Sequence, residues 1–233
     1  MPSVKTRILP VLAALFALAA AAPAGASTKE LGLPSPFPAA SCPQDCQAIG
    51  QVTGYQVQVG GAKNPLQITK PGKIVAFTIA LGKPDKEQTQ FFNNLFGTEP
   101  QARLSILKVL HRKRRATLVA QSEVFKLAPY FGSTPTFALA KPIPVGPRNV
   151  VALTVPTWAP AFAVNLGADQ AWRSSRSSEN CNDVQQPTAQ QTLKTTRSYS
   201  CFYRTARLLY SATYIPNPTP TTPPAPTSGT QRR

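Results

Sequence analysis

The side chains with the most chemical capacity in this sequence are four cysteines, two tryptophans, one of them followed by arginines, and one run of cations. Cys42, Cys46, Cys181 and Cys201 form an even set. A four-thiolate zinc site would want paired two-residue spacings, which this set lacks, so disulfides in an oxidising compartment are expected instead. Local pairing of Cys42 with Cys46 and of Cys181 with Cys201 is favoured over the other connectivities. The first pair encloses a tight loop containing Pro43, and the second encloses a polar stretch with few core residues of its own. Closing those loops is worth about 2 and about 3 kcal/mol in chain-entropy terms.

Trp158 stands between Pro156 and Pro160, and Trp172 is followed by Arg173 and Arg176. Flat rings beside hydrogen-bond donors are how sugar rings are held, which makes these four residues candidates for a glycan site in neighbouring loops. The competing reading has Trp158 as a buried plug and Trp172 packed under the Cys181 loop. The run Arg112, Lys113, Arg114 and Arg115 offers contact to a polyanion, against the plainer role of a solvated turn that blocks edge pairing.

Catalytic patterns are weak. His111 is the single histidine; the adjacent cations disfavour its protonated form and no neighbouring carboxylate orients it. Glu123, Asp169, Glu179 and Asp183 could in principle supply a glycosidase pair, yet none lies in an aromatic, strand-borne cluster. Gly60-Gly61 reads as a strand-ending turn, and no phosphate loop is present. No catalytic residue, metal or cofactor is therefore assigned.

The elements that would position these residues follow from composition. The chain has 233 residues, with 25 Lys and Arg against 9 acids, a net charge of +16, one His, one Met and 25 Pro. That balance suits neither a helical bundle nor a His-rich metal protein. Lys5 and Arg7, the apolar run over 8–22, and Ala24-Gly25-Ala26 read as a signal peptide over 1–26. The run is too short and too Pro-bounded for an anchor, so no transmembrane segment is expected after its removal. The remaining chain carries about +14 and is secreted or placed at the cell-envelope exterior.

Residues 27–48 read as a Pro-rich extended arm ending in the first disulfide loop, and 49–215 as the folded domain. Tyr55, Val57 and Val59 alternate with glutamines, a half-buried strand. Residues 73–81 are apolar almost throughout and read as a central strand, with Val75, Phe77, Ile79 and Leu81 among the core positions. Phe91, Phe92, Leu95 and Phe96 are spaced for one or two helical turns over 86–96, stopped by Gly97. Residues 104–110 and 116–124 form a hairpin whose tip is the basic run. Further strands are expected over 136–141, 150–155 and 199–215. Short strands at regular spacing predict an all-β chain, a two-sheet antiparallel β-sandwich of jelly-roll type with a short helical insertion. The Pro/Thr-rich segment 216–233 is expected to be a disordered tail.

The stretches Val52-Thr53-Gly54-Tyr55-Gln56-Val57, Pro71-Gly72-Lys73-Ile74-Val75-Ala76-Phe77, Pro129-Tyr130-Phe131-Gly132-Ser133 and Arg204-Thr205-Ala206-Arg207-Leu208-Leu209-Tyr210 carry a resemblance. With Val155-Pro156-Thr157-Trp158-Ala159-Pro160, its most specific part, they resemble an uncharacterised family of exported bacterial proteins with a jelly-roll-like sandwich. The resemblance implies fold and export and contributes no catalytic residue. The residues themselves lead to an expectation of a non-catalytic, envelope-associated binding module for an anionic wall polymer or glycan, without specific nucleic-acid recognition. A secreted hydrolase using a carboxylate pair and an adhesive protein-binding domain are the alternatives.

Overall fold

The computed structural model describes residues 27–33, 36–110, 114–183 and 191–218. The expected signal peptide, the tail beyond 218, and His111, Arg112 and Lys113 lie outside the described residues. In chain order the strands are β1 (Lys29–Leu31), β2 (Ile49–Val59), β3 (Ala62–Lys63), β4 (Gly72–Ile79), β5 (Gln101–Leu110), β6 (Arg115–Gln121), β7 (Phe125–Lys126) and β8 (Thr136–Val145). They continue as β9 (Asn149–Ala159), β10 (Phe162–Ala163), β11 (Ala171–Ser174), β12 (Thr196–Ser198), β13 (Cys201–Arg204), β14 (Arg207–Leu208) and β15 (Tyr210–Pro216), with α1 (Lys86–Phe96) between β4 and β5.

Every strand pair is antiparallel, and the fold is the all-β sandwich expected from strand spacing. One sheet runs β1-β15-β4-β8; the larger runs β12-β6-β5-β9-β2-β11-β13, with β3 on β2 and β7 on β5. Strands β12 and β13 are at opposite ends of the larger sheet, yet Tyr199 and Ser200 alone separate them in sequence. The sheet must therefore curl until its ends almost meet. Tyr199 fills that seam: it is fully buried, its ring centroid is 5.4 Å from that of Tyr55, and its N–H donates to the Arg114 carbonyl at 2.7 Å.

The core lies between the sheets, with Ile74, Phe77 and Ile79 from one and Leu104, Ile106 and Leu153 from the other. Tyr210 spans them, its hydroxyl donating to the Val151 carbonyl at 3.0 Å. Val57 and Val75, expected in the core, are only half-buried. For Val75 the reason is a register shift between Ile74 and Ala76, which lets both Ile74 and Phe77 point inward and turns Val75 aside.

The outer face of the large sheet is buried too, and its fully buried hydroxyls are paired. Thr53 and Thr154 share a hydroxyl bond at 2.8 Å, Ser105 and Thr154 one at 2.7 Å, and the Gln191 N–H donates to Thr53 Oγ1 at 3.0 Å. Gln191 and Tyr199, both inside the Cys181–Cys201 loop, thus give that loop buried residues of its own, against expectation.

The helix is longer than the aromatic spacing alone implied. Asp85 and Gln88 form a reciprocal cap, the Gln88 N–H reaching Asp85 Oδ1 at 2.8 Å and the Asp85 N–H reaching Gln88 Oε1 at 3.0 Å. Gly97, at φ 99°, ends it. Phe92 and Phe96 are buried, whereas Phe91 is 60% exposed.

The described residues of the 27–48 segment are tied to the domain. Lys29–Leu31 pairs with β15, Glu30 accepts from the hydroxyls of Ser211 and Thr213, and the buried Arg207 donates to the Gly32 and Pro36 carbonyls.

Candidate functional site

A cleft of about 560 Å³ opens where the curled sheet leaves the first half of β2 without a strand neighbour on its β11 side. Gln47 to Gly50 form one wall, and Phe202 to Ala206, at the outer end of β13, form the other. Trp172 lies at the inner side, 6% exposed, stacked on its cross-strand partner Tyr203 with centroids 4.4 Å apart and 19° between planes. Phe162 meets Trp172 edge-on at 5.6 Å. The absence of a Cβ at Gly54 is what lets the indole lie against β2, since one built there would come within 2.9 Å of the ring. Two rim residues, Asn165 and Thr205, hold left-handed φ values of 57° and 54°. For the β-branched Thr205 that backbone is strained.

The disulfide loop completes the cleft. Cys181 is bonded to Cys201 and Cys42 to Cys46, the local pairing expected from the sequence, and such bonds suit an oxidising compartment. Cys181 and Asn182 line the cleft, and the Tyr203 hydroxyl donates to the Cys181 carbonyl at 2.6 Å. Arg176, buried on the same side, donates to the carbonyls of Asp183 and Gly50.

The two tryptophans expected to share a loop cluster are on strands, with β2 between them. Trp158 pairs with Gly50 across β9 and β2, whereas Trp172 pairs with Gln56 further along β2. Trp158 is fully buried against Phe92 and Phe131, its centroid 5.1 and 5.6 Å from theirs, and its Nε1 donates to Asn93 Oδ1 at 2.9 Å. No face of that indole is open to a sugar; it is a plug, and Phe96 and Ala48, which pack in its cluster, also line the cleft.

Beside the cleft the cations converge. Arg173 and Arg204 both place a guanidinium over the Phe202 ring, at 4.7 and 5.1 Å from its centroid. Arg173 also donates to the Tyr199 and Ser200 carbonyls at 2.9 and 3.3 Å, so its first task is closing the seam. Burial lowers the Arg173 pKa, the nearby Tyr55 raises it and the charge of Arg114 lowers it further; the Arg114 carbonyl, which accepts the Tyr199 N–H, is what brings Arg114 to the seam. Arg114 and Arg115 are exposed there, as expected for the described half of the basic run.

The acids are committed elsewhere. The Glu123 carboxylate accepts the Ala140 N–H at 2.7 Å, capping the open edge of β8, which also carries Pro142 and Pro144. Asp169 lies against the turn at Gly167, Glu179 is exposed in a 3-10 turn, and Glu99 pairs with Lys126 at 2.9 Å. Among the described residues no group of three or more His, Cys, Asp or Glu could hold a metal ion, and no helix is long and apolar enough to cross a membrane.

Phe162, Asn165, Phe202, Tyr203 and Arg204 are site residues that sequence reasoning missed. The signal lay in Phe202-Tyr203-Arg204 directly after Cys201: two aromatics and a cation fixed by a crosslink. Comparison with protein-family models, curated proteins and solved structures finds no match to this chain. The resemblance to exported sandwich proteins therefore rests on its own residues.

Proposed function

We propose that this chain is an exported, non-catalytic binding module of the cell-envelope exterior that holds an anionic wall polymer or glycan on its basic face. The observation that carries this reading is the placement of Arg114 and Arg173 at the Tyr199 seam, with Arg173 and Arg204 over the adjacent Phe202 ring. A net charge of +16 acquires direction there. Cations on strand ends and a hairpin tip, with Glu30, Asp85 and Glu123 spent on hydroxyls and backbone N–H groups, attract a polyanion by charge and by release of its counterions. The aromatic ring beneath two guanidiniums adds a surface that sugar or guanidinium can stack on without fixing a sequence of bases. Retention of the mature protein on acidic and on neutral polysaccharide resins, at low and high salt, tests the reading. Retention on the acidic resin alone, weakened by salt, is expected; equal retention on both would contradict it.

A further inference from the structure

The cleft between β2 and β13 is distinct from the solvated basic tip, and its lining differs in kind. Arg176 and Arg204 line it and no acidic residue does. Asn165, Asn182 and Gln47 add amides, and Trp172, Tyr203 and Phe162 add ring faces and edges. Trp172 is more than nine-tenths buried, and its Nε1 is a buried donor with no protein partner. A volume of about 560 Å³ falls within the range of small-ligand sites and exceeds what a single ion would fill.

We infer that this cleft is a binding subsite for a carboxylate-bearing pyranose, the repeating unit of an acidic polysaccharide. The reading rests on the polyanion-binding function proposed above and assigns its unit-by-unit recognition to the cleft, which shares Arg204 and Phe202 with the basic face. The guanidiniums take the carboxylate, the amides take ring hydroxyls, and the aromatic wall excludes water from the ring's apolar face. The left-handed backbones of Asn165 and Thr205 shape the rim, and the Cys181–Cys201 bond keeps the far wall in place.

Calorimetric titration of the intact mature protein with short oligogalacturonates, and with the same oligomers as methyl esters, tests this. Saturable one-to-one binding of the acid form, at least about tenfold tighter than the ester, is expected. Arg204→Ser removes an exposed cation, and Gln47→Phe places bulk at the cleft mouth from an exposed position. Each is expected to weaken binding by about tenfold or more while leaving the melting temperature in place. Replacing Arg114 and Arg115 by Ser should leave oligomer affinity unchanged while reducing retention on the long polymer. Polymer retention without saturable oligomer binding would overturn the cleft assignment alone, and absence of both would overturn the function with it. Equal binding of acid and ester, or wild-type affinity in both cleft variants, would also overturn it.

Discussion

Arg173 Nη1 lies 2.9 Å from the carbonyl oxygen of Tyr199, and this contact helps to join the two ends of a curled sheet. Arg173 is on β11, beside the last strand of the sheet, while Tyr199 follows β12, the first strand in sheet order. Its replacement by Ala is expected to destabilise the fold by about 1.5–3 kcal/mol, the range for hydrogen bonds made by a charged group. Lys should recover only part, because an ammonium can donate to the carbonyls but cannot lay a planar guanidinium over the Phe202 ring. Chemical denaturation of the three proteins decides it, and an unchanged midpoint for Ala would show that the seam closes without the guanidinium.

Trp158→Ala should cost about 3–5 kcal/mol, the usual loss for a large aromatic removed from a core. The indole is fully buried and bonded to Asn93, so the effect belongs to stability. Oligomer affinity of the folded fraction should fall only as far as Phe96 and Ala48, which join this cluster to the cleft, shift. A Trp158 variant that folds normally yet binds no oligomer would put this residue in the site after all.

Much of this architecture was legible in the chain. The alternation around Tyr55, the apolar run ending at Leu81 and the hairpin flanking the basic tip are local patterns that burial enforces, and each became a strand. The cap from Asp85 to Gln88 was equally readable as a D-x-x-Q signature. What could not be read was set by partners far away in sequence. Lys29–Leu31 is too short to show periodicity and becomes a strand only because β15 offers an edge. The stack of Trp172 on Tyr203 depends on the register of β11 against β13, which no local pattern fixes. Val75 misleads for the same reason, since a bulge reverses the inward parity of its strand.

Breaking the Cys181–Cys201 bond with paired Ser substitutions should lower stability by about 3 kcal/mol. The same change should weaken oligomer binding, because Cys181, Asn182 and Phe202 are all cleft walls. Breaking Cys42–Cys46 should cost about 2 kcal/mol and leave binding intact. Denaturation and calorimetry on both double variants separate the effects; identical binding losses would mean that the cleft wall does not depend on its own crosslink.

Burial raises the pKa of Tyr199 and Tyr210 well above the ordinary tyrosine value, and that of Tyr55 as well. The unfolded chain loses these protons near pH 10 while the native state keeps them. Above that pH the unfolded state binds fewer protons, so the free energy of unfolding falls as pH rises. The contribution is full below about pH 9 and declines beyond about pH 10. Absorbance at the phenolate band should show these three ionising only as the fold is lost, and ionisation of all 6 tyrosines in a still-folded protein would contradict their burial.

The most direct test of polyanion binding is the salt dependence of retention on an acidic polysaccharide, compared between the wild type and a variant with Arg112, Lys113, Arg114 and Arg115 all replaced by Ser. Turn side chains bury little, so the variant should keep its melting temperature while eluting at lower salt, with a shallower dependence of affinity on salt concentration. The same elution and the same slope in both proteins would leave the charge as a solubility feature and contradict the account.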